Sequence, residues 1–122
     1  CNSDLKNNYS NIRAWNAGRI RETGRMFLGL ITGDHVKIAI NTRLNTGTVI
    51  GFCSNVMSTG FPPKFIPSFI WETEPEMREV ELDKAITTAG IMMDRRNVAF
   101  SPEISGLFRN LNRFCRMSGR NV

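Results

Sequence analysis

Between Ile20 and Val56 the apolar positions recur every six residues: Ile20, Met26, Ile38, Leu44, Ile50 and Val56, with the β-branched Thr32 in the remaining place. Four residues after each comes Gly24, Leu30, Val36, Thr42, Thr48, Ser54 or Gly60, mostly small or β-branched. A period of six matches neither a helix nor a strand. It predicts a hexapeptide-repeat parallel β-helix over residues 20–61, each short strand forming one side of a three-sided coil. One coil takes three hexads, so residues eighteen apart are expected to stack as parallel neighbours ~4.8 Å apart. Ile20, Ile38 and Val56 make one expected column, Met26 and Leu44 a second, Thr32 and Ile50 a third. Gly33, Ala39 and Gly51 follow core positions, where a large side chain would crowd the corner. Asn41 and Asn45 tolerate the left-handed backbone that corners need.

The flanking segments differ in kind. Residues 1–19 are polar and Asn-rich, a lead-in with Leu5, Tyr9, Ile12 and Trp15 as anchors. After residue 61 comes a proline-aromatic arm and acidic linker, residues 62–81. Pro62, Pro63 and Pro67 exclude a helix and favour extended chain. Phe61, Phe65, Phe69 and Trp71 predict that the arm lies against its own β-helix or a neighbouring subunit, with ligand contact by Trp71 as a lesser role. Residues 82–117 read as a helical cap. Leu82, Ala85, Ile86, Ala89 and Met93 have helical spacing, and Arg95 and Arg96 suit the negative end of the helix dipole. In a second helix Ser101 is the expected N-cap, Pro102 the first helical residue and Glu103 part of the first turn. Ile104, Leu107, Phe108, Leu111 and Cys115 share one face. The expected fold is therefore a single all-β domain, a parallel β-helix capped by two C-terminal helices.

At 122 residues the chain is one domain or a piece of one. Seven hexads make little over two coils, which need caps, partners or both. The start at Cys1 suggests a segment cut from something longer. No apolar run approaches a membrane span and no signal-peptide pattern is present, so no membrane partner is expected. Cys1, Cys53 and Cys115 are few and odd in number, which argues for a reducing, cytoplasmic setting. One histidine and three distant cysteines make no metal site.

The net charge of +5 is uneven. Between residues 72 and 84, six acids face only Arg78 and Lys84, so the β-helix segment is the basic one. That suits an anionic small ligand such as a phosphate, nucleotide or coenzyme A, although a solvated surface has the same composition. The bases are scattered, with little aromatic interleaving, so nucleic acid is not an expected partner.

Several runs together resemble a known family: Ser3-Asp4-Leu5-Lys6-Asn7-Asn8-Tyr9; Gly33-Asp34-His35 to Ile40-Asn41-Thr42; Asn45-Thr46-Gly47-Thr48-Val49; Gly60-Phe61-Pro62; and Ile66-Pro67-Ser68-Phe69. They are similar to the C-terminal part of a bacterial group of sugar nucleotidyltransferases. That group is related to the bifunctional UDP-N-acetylglucosamine pyrophosphorylase/glucosamine-1-phosphate N-acetyltransferase. The resemblance covers most of residues 3–97. It implies a left-handed β-helix of the hexapeptide acyltransferase type and a homotrimer. It also implies acetyl-coenzyme A as co-substrate in a groove between subunits, and a separate N-terminal nucleotidyltransferase domain. These residues carry no phosphate-cradling glycine loop, so nucleotidyl transfer is not expected within them.

Acyl transfer needs a base to take a proton as the thioester is attacked, and His35 is the chain's one histidine. By the eighteen-residue rule it stacks near Cys53; its other role is that of an exposed turn residue. Cys53 itself carries no signal of an activated nucleophile. The related bifunctional enzymes place their catalytic histidine in an Ala-Gly-His segment, and here the matching stretch is Thr23-Gly24-Arg25. Arg25 in that position, with Lys37, Asn41, Arg43 and Lys64, forms the expected set for sugar phosphate, nucleotide sugar or coenzyme A. Two functions follow: acetyl transfer to a sugar phosphate or nucleotide sugar, or a non-catalytic trimerisation and regulatory module.

Overall fold

The computed structural model describes residues 2–74 and 76–120; Cys1 among the three cysteines lies outside them. The elements follow the chain as β1 (Asn2–Ser3), β2 (Arg13–Asn16), β3 (Arg19–Glu22), β4 (Leu30–Thr32), β5 (Lys37–Ile38), β6 (Arg43–Leu44) and β7 (Thr48–Ile50). They continue as β8 (Asn55–Val56), β9 (Phe65–Ile66), β10 (Ile70–Thr73), β11 (Glu76–Glu79), α1 (Leu82–Asp94) and α2 (Pro102–Met117). Four small sheets result: β1 with β6, β2 with β3, β4-β7-β9, and β11-β10-β8-β5.

This arrangement corrects the expected fold. Instead of an all-β, left-handed parallel β-helix through residues 20–61, the structure has several short sheets, parallel and antiparallel, with two helices. The first expected hexads fail for a local reason. Ala17 and Gly18 both have positive φ, 47° and 86°, which is the two-residue turn that closes an antiparallel hairpin. The hairpin pairs Trp15 with Ile20, so Ile20 is 54% exposed and stacks on neither Ile38 nor Val56. Met26 is likewise 44% exposed. The strand beside Leu44 comes from the lead-in, with Ser3 opposite Leu44.

Parallel pairing holds over shorter stretches. Thr32 lies opposite Ile50 and Ile38 opposite Val56, each eighteen residues away. The proline-aromatic arm then pairs at a separation of sixteen: Ile50 with Ile66, Asn55 with Trp71 and Val56 with Glu72. The arm thus lies on its own chain as β9 and β10. Its prolines sit beside these short strands, where no ladder hydrogen bond from their nitrogens is needed. Leu44, Ile50, Val56, Ile66 and Ile70 form the interior of the sheets.

A second core joins the sheets to the helices: Cys53, Phe69, Val80, Ala85, Ala89, Phe108 and Cys115. The expected helical spacings match α1 and α2, with Ser101 extended before Pro102 and Leu107 on the exposed side. Three left-handed corners lead into this core, His35 (φ 57°), Cys53 (φ 56°) and Phe69 (φ 60°). Backbone bonds link them: Cys53 N–H donates to Asp34 O at 2.9 Å and Phe69 N–H to Phe52 O at 2.8 Å. No helix among the described residues is long and apolar enough to cross a membrane.

Candidate functional site

Register in the four-stranded sheet sets four chemically distinct residues side by side. Lys37 on β5 lies opposite Asn55 on β8, Asn55 opposite Trp71 on β10, and Trp71 opposite Arg78 on β11. Residues opposite one another share a sheet face, and neighbouring strands lie ~4.8 Å apart. An ammonium, a carboxamide, an indole and a guanidinium therefore stand in one row. All four line a cleft of 630 Å³, together with Cys53, Met57, Thr73 and the α1 residues Lys84, Ala85 and Thr88.

The electrostatics of the row are unevenly satisfied. Arg78 is paired with Glu76 at 2.6 Å, and Lys84 on the rim with Glu81 at 2.9 Å. Lys37 Nζ donates to His35 O at 3.2 Å. The Asn55 side chain is buried, and its Oδ1 has no hydrogen-bond partner. Trp71 is 46% exposed. Glu79, also on the wall, is ion-paired with Arg116 and Arg120. A hydrogen bond from Arg120 above all holds its carboxyl below the ordinary carboxylate range. Burial raises the Cys53 thiol, which makes it a poor nucleophile at neutral pH.

His35 faces a different opening, a cleft of 420 Å³ lined also by Asp34, Phe52, Met92, Arg96, Leu107 and Phe108. Its ring meets Phe108 at 5.2 Å and Phe52 at 5.8 Å between centroids, both edge to face. Burial, then Lys37, lowers its pKa, with Asp34 acting in the opposite sense. The imidazole is therefore neutral at pH 7. Its Nδ1 is buried without a partner.

The other expected site residues are dispersed. Arg25 is exposed beside the hairpin, its N–H on Thr23 Oγ1 at 3.2 Å. Asn41 is a left-handed corner (φ 65°). Arg43 lies over the Phe61 ring at 5.2 Å and donates to Thr59 O at 3.4 Å. Lys64 Nζ donates to Arg13 O at 3.1 Å. Of the expected set, only Lys37 enters the larger cleft. Asn55 reaches Trp71 only through the sixteen-residue register of the arm, and Arg78 only through the antiparallel pairing of β10 with β11; neither pairing has a signal in the six-residue pattern. Among the described residues no group of three or more His, Cys, Asp or Glu could hold a metal ion.

No family model, curated protein or solved structure matches the chain.

Proposed function

We propose that this chain is the acyltransferase-type part of a sugar-nucleotide enzyme, with acetyl-coenzyme A as donor and a sugar phosphate or nucleotide sugar as acceptor. The observation that carries the reading is the Lys37–Asn55–Trp71–Arg78 row along one cleft. A phosphate-bearing ligand with a flat base meets cations at both ends of the row and an indole for stacking, with the buried, unpartnered Asn55 amide oxygen between them. His35 is the candidate base; its ring opens to the smaller cleft, so in this reading the acceptor lies there and the coenzyme in the larger one. In acetyl transfer the acceptor oxygen or nitrogen attacks the thioester carbonyl, the base takes its proton, and coenzyme A leaves as the thiolate. The free thiols of Cys53 and Cys115 fit a reducing cytoplasm. Exposed Ile20, Met26, Phe27 and Ile31 suit contact with further copies in a homotrimer.

A second reading, a non-catalytic trimerisation and regulatory module, is favoured by the placement of His35. It occupies the same kind of corner as Cys53 and Phe69 and packs on the same aromatic cluster. Calorimetric titration with coenzyme A and with UDP-N-acetylglucosamine tests the site. Trp71→Ala is expected to weaken binding about tenfold; equal affinity in the variant removes the row from the proposal. Thioester consumption with amino-sugar phosphates separates the two functions. A rate lost in His35→Ala supports acetyl transfer, whereas ligand binding without any turnover supports the regulatory module.

A further inference from the structure

A second gathering of cations lies away from that cleft, on elements distant in sequence. Lys6 follows β1, Arg13 lies on β2 and Lys64 immediately precedes β9. Their placement is set by backbone contacts. Lys6 Nζ donates to Ser10 Oγ at 2.9 Å and to Asn11 O at 2.6 Å, and Lys64 Nζ donates to Arg13 O at 3.1 Å. Both ammonium groups are thus held on the segment 11–13 instead of extending separately into water. The scaffold beneath is closely joined. Trp15 on β2 stacks on Phe65 of β9, 4.5 Å between centroids and 14° between planes. The buried Ile12 bonds through its backbone to Arg25 and Thr23. Gly47 approaches so closely that an added Cβ would lie 2.7 Å from Arg13 O.

We propose that Lys6, Arg13 and Lys64 form an anion site, distinct from the Trp71 cleft, that takes the phosphate group of a small phosphorylated ligand. The donor count fits. An ammonium has three N–H bonds, so Lys6 retains one and Lys64 two after their contacts with the chain. The Arg13 guanidinium, whose charge acts on Lys64, would add a planar fork. These donors suit an oxyanion with several acceptor oxygens. The opposing charge is slight: among the described residues the carboxylate in ion-pair reach is Glu22, 3.9 Å from Arg13 and largely exposed. The cations also oppose one another. Burial first, then Lys6 and Arg13, lowers the pKa of Lys64. An anion would relieve that repulsion, with the lysine side chains already ordered.

The test uses the full chain, with inorganic phosphate and a hexose 1-phosphate titrated at constant ionic strength. Calorimetry and the fluorescence of the neighbouring Trp15 report binding. Lys6→Gln and Lys64→Gln are each expected to weaken binding about tenfold, Lys64→Arg to restore most of it, and Arg113→Gln, on α2, to leave it unchanged. Circular dichroism and melting of each variant show that the fold is retained. Tighter binding of the hexose phosphate assigns the site to a sugar-borne phosphate, and equal binding assigns it to phosphate itself; both outcomes support the site. No saturable binding up to about 10 mM overturns it. So does a response that chloride reproduces at equal ionic strength, or one abolished by Lys37→Gln and untouched by Lys64→Gln. The last outcome leaves the Trp71 cleft in place, so the two sites stand or fall separately.

Discussion

The His35 ring meets the Phe108 ring edge to face, 5.2 Å between centroids, tying a left-handed corner of the sheets to the middle of α2. The contact favours a neutral imidazole. Burial, then Lys37, lowers the folded pKa below the unfolded value of about 6.5, and Asp34 offsets this in part. The unfolded chain therefore binds the proton more readily. This contribution to stability is present in full above the unfolded pKa and is lost as pH falls through the folded one. The melting temperature is expected to decline from pH 7 to pH 5. In His35→Asn, which tolerates left-handed backbone, the decline becomes shallower. Identical pH profiles would remove His35 as its source.

Gly33 lies directly beneath the next corner. A Cβ there would stand 2.8 Å from Phe52 N and 2.9 Å from Phe52 Cα, both backbone atoms that cannot rotate away. Gly33→Ala is expected to cost about 1–3 kcal/mol in urea denaturation, against the usual gain from reducing the freedom of the unfolded chain. An unchanged midpoint would mean that the strands can separate at this corner at little cost.

Val56 and Ile20 share a place in the six-residue pattern but not in the structure. Val56 is fully buried between Ile38 and Glu72, and Ile20 is half exposed on the hairpin. Val56→Ala is expected to cost about 2 kcal/mol and Ile20→Ala under about 0.5 kcal/mol. Equal losses in chemical denaturation would restore Ile20 to the interior and contradict the hairpin.

Glu72 stands opposite Val56, buried, with its Oε2 lacking a hydrogen-bond partner. Removing an unpaired buried oxygen relieves a desolvation cost, so Glu72→Leu is expected to stabilise the chain by about 1–3 kcal/mol. The readout is the denaturation midpoint. A fall in that midpoint would show that the carboxylate is satisfied and that its charge supports the fold.

The local features were legible because neighbours in sequence determine them. Helical spacing from Leu82 and the Ser101-Pro102 start both match helices, since capping and periodicity act within a few residues. The pairs Thr32–Ile50 and Ile38–Val56 were legible from their β-branched and aliphatic matches at eighteen residues. The continuation of that beat through Ile20 and Met26 was not. The Ala17-Gly18 turn lets residues 13–22 satisfy their backbone bonds within a hairpin, which a count of apolar positions does not weigh against parallel stacking. Nor does composition disclose the change from eighteen to sixteen when the arm joins the sheets. That change brings Asn55 to Trp71 and completes the row from Lys37 to Arg78. By itself the sequence determined the helices, the apolar interior from Leu44 to Val56 and the candidacy of Lys37. Only the tertiary structure decided which cations share a surface, because long-range strand pairing depends on how separate segments satisfy their hydrogen bonds together.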